Sequence, residues 1–234
     1  MSSVTQHDSP ARRTLPRGLL FARDILVIAV IAILLSTGIK TFLVRSFFIP
    51  SGSMQNTLQI DDRILVNELV PGLIDIERGD VVVFKDPGGW LPPSAAKEQT
   101  PVGAVLEFVG LAPSSSDDHL IKRVIGLPGD TVECCNALGQ ILVNGVPIDE
   151  ADYIAPGTTR ASLIDFSVTV PKDSLWVLGD NRNNSQDSRY NTETPSEGFV
   201  PIANVVGRAF VTVWPLDRWS WLDNYPMVFS GTDR

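Results

Sequence analysis

The sequence predicts a mainly β protein: an antiparallel β-sheet domain with long loops, preceded by one N-terminal transmembrane helix. Three observations lead there. The one long apolar run, Ile25–Ile39 (ILVIAVIAILLSTGI), lies near the N-terminus. After Pro50 the apolar segments are short and rich in Val and Ile, as strands are. Gly (18) and Pro (17) exceed their usual share of 234 residues, which favours turns over long helices.

The run Ile25–Ile39 carries no charge but has 15 residues, short of the roughly 20 that span hydrocarbon. Extension to Val44 reaches that length with Lys40 as its only charge, and a lysine near a helix end can snorkel to the headgroups. The expected division is a cytoplasmic tail over 1–23, a transmembrane helix over 24–44 and an extracytoplasmic domain over 45–234. Residues 1–45 have a net charge of +4 and the rest −12, within a total of −8. Arg12, Arg13, Arg17 and Arg23 precede the run, so the positive-inside rule sets the N-terminus in the cytoplasm of a single-pass plasma-membrane protein. A buried core helix fits poorly, because the run is apolar all round. A removable signal peptide cut near Ser36-Thr37-Gly38 is the stronger rival, although apolar character resumes at Ile39 and continues through Phe48.

In the body, Arg63–Val70, Asp80–Lys85, Leu120–Gly126, Val168–Val170, Leu175–Leu178 and Val205–Val213 read as strands. Asn144-Gly145 between ILV and VPI is a two-residue hairpin signal. A Pro-, Gly-, Ser- and Ala-rich stretch at about 87–118 reads as an insertion, with a short helix around 102–109. Trp214, Trp219, Trp221 and Phe229 near the C-terminus suit edge packing or a membrane-resting surface equally. The acidic body argues against a nucleic-acid partner, and two Cys with two His make neither a metal cage nor a cofactor site.

Four stretches are too particular for packing alone. Ile49-Pro50-Ser51-Gly52-Ser53-Met54 puts hydroxyls and free N–H groups on a tight bend. Arg78–Phe84 is a turn entering a strand. Leu120–Asp130 (LIKRVIGLPGD) places Lys122 on the strand face of Leu120 and Val124, a costly half-buried position, with Arg123 on the opposite face. Gly179–Arg189 (GDNRNNSQDSR) is a dense polar loop after an apolar strand.

In this order behind an anchor, these stretches resemble the bacterial type I signal peptidases, Ser-Lys serine endopeptidases, over about residues 20–215. The single anchor is similar to the Gram-positive, actinobacterial branch. Where the family often shows Pro, Asn56 stands in SGSMQNTL, and Asp61 replaces a usual Gly. The resemblance implies Ser53 as nucleophile, Lys122 as general base and Ser185 as the group orienting the lysine amine. It implies an oxyanion hole of the Ser51 side chain and the Ser53 backbone N–H, and supporting ion pairs Asp187 with Arg189 and Arg123 with Asp180. By the same resemblance Ile49, Met54, Leu58 and Ile121 line small pockets, although each also reads as a plain core residue. Preprotein signal peptides are the implied substrates, and membrane lipid and secretion machinery the implied partners. An extended peptide would add as a strand beside Asp80–Lys85 or the Ser51 turn.

The chemistry asks much of Lys122. Holding an ordinary lysine neutral at pH 7 costs about 4.6 kcal/mol unless burial lowers its pKa. Ser94-Ala-Ala-Lys97 matches an S-x-x-K pattern without its partner motifs. His119 reads as a surface residue in a polar stretch rather than a base. Cys134-Cys135 leaves a disulfide and a reduced pair equally open. The alternative to catalysis is a membrane-tethered β-rich binding or assembly module.

Overall fold

A computed structural model describes residues 17–92 and 118–233. The tail 1–16, Ser94, Lys97 and the short helix expected around 102–109 lie outside the described residues. The chain divides into two units, one to Ile39 and one from Lys40.

The first unit holds most of the helix α1 (Arg17–Phe42), which is 26 residues long. It begins before the expected residue 24, because Leu19–Ala22 are good helix formers. It also stops short of Val44, which pairs with Asn67 in a sheet instead. Apolar side chains along it stand exposed, Leu26, Ile28, Ile33 and Leu35 each by about two thirds. Among the described residues no helix is long and apolar enough to cross a membrane. The described side chains of α1 run unbroken only over 23–33.

The second unit is antiparallel β. Its strands are β1 (Val44–Phe48), β2 (Arg63–Asn67), β3 (Val81–Lys85), β4 (His119–Gly126), β5 (Thr131–Cys134), β6 (Ile141–Val143), β7 (Val146–Pro147), β8 (Phe166–Thr169), β9 (Ser174–Leu178), β10 (Val200–Pro201), β11 (Val205–Trp214) and β12 (Ser220–Trp221). The larger sheet runs β1-β2-β11-β3-β4-β9-β10, with β12 on β11; the smaller runs β7-β6-β5-β8. Asn144 (φ 52°) and Gly145 (φ 81°) turn the β6–β7 hairpin, both in the left-handed region that such a turn demands.

The apolar run of β3 is unbroken because the strand is buried on both faces. Val81 and Val83 join Phe47, Ile49, Ile64 and Ile121 in one cluster. Val82 and Phe84 join Leu120, Val124 and Val177 in another. A third cluster, around Trp176, Val132 and Ile141, fills the small sheet and takes in Phe229. Trp214, Trp219 and Trp221 are at least half exposed, with Trp221 stacked on Phe210 and edge-on to Trp219. Cys134 and Cys135 are joined to each other by a disulfide.

Two features of the larger sheet matter for function. β3 lies between β11 and β4, so both of its edges are taken and no peptide can add there. β4 pairs with β3 over His119–Arg123 and with β9 over Arg123–Gly126. Among the described strands, none covers the outer edge of β4 at His119–Lys122. Phe84 is fully buried and meets Trp90 edge to face. Its truncation to Ala is expected to cost about 3–5 kcal/mol, read as a lower urea midpoint of the detergent-solubilised chain.

Candidate active site

The turn after β1 is pinned from beneath. Ile49 N–H donates to Asp62 O (2.9 Å), and Met54 and Leu58 are fully buried in the core. A single 3-10 turn, Gly52–Met54, therefore holds Ser53 at the surface of that core, 8% exposed. Asn56 adopts φ 94°, which the fixed ring of a proline cannot reach. Asp61 stands at φ 73°, which Gly takes freely and Asp tolerates better than most residues. Both departures from the resemblance are thus matched to the backbone this chain adopts.

Lys122 comes from the middle of β4. Its Nζ donates to Ser53 Oγ (2.8 Å) and to its neighbour's carbonyl, Ile121 O (2.9 Å), and the side chain is 4% exposed. Burial pulls the lysine pKa down to about 8, against the opposing pull of the Asp187 and Asp180 carboxylates. Ser51 Oγ lies 3.5 Å from Ser53 Oγ on the exposed side of the turn.

The loop after β9 clasps this turn from the other side. Asn181 N–H donates to Ser53 O (3.1 Å), and Asn181 Nδ2 donates to Gly52 O (3.1 Å). Gly179 has no alternative residue: a Cβ there would stand 2.3 Å from Ser185 Oγ and 2.5 Å from Ser53 O. Asp187 accepts Gly179 N–H (3.0 Å) and pairs in two-pronged fashion with Arg189, both side chains fully buried. Arg123 pairs likewise with Asp180 (2.9 and 2.7 Å), and Thr57 Oγ1 donates to the same carboxylate (2.5 Å).

The structure therefore brings together Ser51, Ser53 and Lys122, Arg123 with Asp180, and Asp187 with Arg189. Ser185 departs from expectation. It is buried beside Gly179, but its Oγ has no hydrogen-bond partner among the described residues, and the lysine amine turns to Ile121 O instead. Met54 and Leu58 are fully buried and anchor the turn from within the core. Ile49 and Ile121 line a small cavity of about 20 Å³ shared with Phe47, Ile64, Val83 and His119. His119 is not a surface residue: its ring packs on Phe47 with centroids 5.4 Å apart. Among the described residues no cluster of His, Cys, Asp and Glu could hold a metal.

Sequence reading missed the brace beneath these parts. Arg182, fully buried, binds Glu150 through two hydrogen bonds (2.7 and 2.5 Å) and donates to Gly179 O (3.1 Å). Tyr153 donates to Glu150 Oε1 (2.6 Å) and sets its ring 4.3 Å from the Arg123 guanidinium. From the C-terminal segment, Asp223 O accepts from Arg123 (3.1 Å) and Tyr225 flanks the same guanidinium at 5.3 Å. Arg182 sits in the polar loop that drew notice; nothing in the sequence around Glu150, Tyr153 or Tyr225 tied them to it.

A desolvated amine within hydrogen-bond reach of a serine hydroxyl can take its proton, freeing the oxygen to attack a carbonyl carbon. A serine hydroxyl beside a buried amine is an arrangement suited to a serine hydrolase. Comparison narrows this. The family model for signal peptidase, peptidase S26, matches residues 22–214. A probable signal peptidase I of Mycobacterium leprae is 40% identical over 224 residues, covering 82% of this chain and 76% of that one. Signal peptidase I of Mycobacterium tuberculosis is 37% identical over 241 residues, covering 93% and 79%. The chain belongs to the peptidase S26 signal peptidase family. A signal peptidase I crystal structure from Enterococcus faecalis, 28% identical over 57% of this chain and 95% of that one, superposes with a TM-score of 0.35, too loosely to bear on the fold.

Arg123 and Asp180 are both fully buried, so removing one leaves the other's charge uncompensated. Arg123→Met is expected to cost about 3–5 kcal/mol in a urea titration, several times the effect of breaking the exposed Arg23–Asp24 pair by Asp24→Asn.

Proposed function

We propose that this chain is a membrane-anchored serine endopeptidase that removes signal peptides from exported preproteins. Ser53 is the nucleophile and Lys122 the general base. One observation carries the reading: the Lys122 amine is buried, its pKa is drawn to about 8, and it lies 2.8 Å from Ser53 Oγ. Neutral Lys122 accepts the Ser53 proton as Oγ attacks the scissile carbonyl carbon. The proton passes to the leaving amine, and an acyl-enzyme remains. Lys122 then takes a proton from water, whose oxygen attacks the ester and releases the new carboxylate. Ser51 Oγ and the Ser53 N–H are the donors for the oxyanion, a kind of contribution worth about 3–4 kcal/mol per donor.

The uncovered edge of β4 offers the preprotein a place. An extended segment paired with His119–Lys122 gains backbone hydrogen bonds and passes beside Ser53, with alternate side chains turned toward Ile49 and Ile121. Support for the anchor comes from the apolar sequence Ile25–Ile39 within α1 and the arginines before it. Exposed Trp214, Trp219 and Trp221 suit the headgroup zone of a bilayer, where such rings concentrate. Secretion machinery is the expected source of substrate.

Cleavage of a reporter preprotein in detergent tests the site. Ser53→Ala and Lys122→Ala should each lose at least 10³-fold in kcat/KM, and Lys122→Arg should fare no better, because guanidinium stays protonated. Full cleavage by Ser53→Ala would end the reading. In the wild type, kcat/KM should rise with pH and level off above about 8, as the amine becomes neutral.

The lysine also has a signature in stability. Its pKa in the folded protein lies below the ordinary 10.5, so the unfolded chain binds more protons between about pH 8 and 10.5. The burial cost is fully present below pH 8 and fades as pH rises through that window. Lys122→Met is therefore expected to be inactive yet more stable at pH 7, by roughly 1–3 kcal/mol in urea midpoint, with the gain disappearing near pH 10.5.

A further inference from the structure

Resting on the reading just given, we propose that His119 is a specificity-determining residue: its Nε2 accepts a hydrogen bond from a hydroxyl side chain of the preprotein, at the third residue before the cut. The position follows from the strand. In β4 alternate residues share a face, so His119 and Ile121 point the same way, about 6.6 Å apart along the chain. A peptide extended along that edge repeats at the same interval. With its scissile residue at Ser53 and the nearer side chain by Ile121, the side chain two residues earlier reaches His119.

The chemistry follows from the pocket. Its other walls are Phe47, Phe48, Ile49, Pro50, Ile64, Val83, Leu120 and Ile121, so the imidazole is its one polar side chain. Only a small group fits a space of about 20 Å³, little more than a water needs. Both ring nitrogens are buried. Nδ1 is taken by Asp118 Oδ1 at 2.5 Å, and Nε2 has no hydrogen-bond partner among the described residues. The carboxylate at Nδ1 keeps the ring proton there and leaves Nε2 an acceptor. Burial lowers the imidazole pKa, opposed by Asp118 and assisted by Lys85 of β3 and Arg45 of β1, so the ring is neutral at pH 7. A buried acceptor of this kind penalises an apolar occupant and rewards a small donor. The sites that reject or admit an isostere most sharply are those with such a polar group.

Threonine and valine have the same shape and differ in one donor, which makes them the probe. Two reporter peptides differing only as Thr or Val at the third position before the cut are compared by kcat/KM with the full-length enzyme at pH 8. A purely apolar pocket favours Val by up to about 100-fold. The expected wild-type result is Thr cleaved at least as well as Val. His119→Leu should move the Thr-to-Val ratio at least tenfold toward Val, and His119→Gln, which restores an acceptor, should move it back. A wild-type preference for Val of tenfold or more overturns the proposal, even if the Leu variant fails to fold. So does a ratio unchanged within twofold between wild type and His119→Leu. Cleavage of neither peptide by the wild type removes the signal-peptidase reading itself, and this inference with it.

Discussion

One lysine amine kept out of water is the constraint on which the site depends. Burial is opposed by two carboxylates, Asp187 and Asp180, which pull the amine back toward its charged form. Each is locked in a two-pronged pair with its own arginine, Arg189 and Arg123, with all four side chains fully buried. Desolvation outweighs that pull, and the pKa falls to about 8. The ion pairs beneath the site hold the geometry on which that burial depends. Buried pairs are in general weak sources of stability, which fits a role of this sort.

The fold divides β4 into two jobs. Its second half is sewn to β9 and carries Arg123 into the buried network. Its first half is bound on the β3 side alone, and there Lys122, Ile121 and His119 meet the turn that carries Ser53. The loop after β9 reaches back over the same turn through Gly179 and Asn181, so Ser53 and Lys122 are set by three segments far apart in the chain. The brace of Glu150, Tyr153 and Arg182 fixes that loop in turn.

Much of this was legible from residue pattern. β3, β4, β9 and β11 stood out because each carries a β-branched run bounded by turn residues, and the β6–β7 hairpin because Asn-Gly needs no context. β1 was hidden because Val44, Phe47 and Phe48 follow closely on the apolar residues of α1, and only pairing with β2 separates them. Lys122 stood out because a lysine on an aliphatic strand face is conspicuous, whereas Ser53, on an otherwise ordinary turn, was singled out only by the family resemblance. Met54 and Leu58 were not separable from pocket residues, since an apolar side chain reads the same whether it anchors a turn or lines a cleft. The partners Glu150 with Arg182 and Arg123 with Tyr225 are joined only by folding, and His119 looked like a surface residue because its buried neighbour, Phe47, comes from another strand.

Direct titration of the Lys122 amine tests the central claim. The full-length protein, labelled with 13C at lysine Cε and assigned by comparison with Lys122→Met, is followed by NMR across pH 6–11. The account requires one lysine to titrate near pH 8 and that signal to be missing from the variant. A Lys122 signal moving with the surface lysines near pH 10.5 would show the amine to be hydrated and charged at neutral pH, and would contradict it.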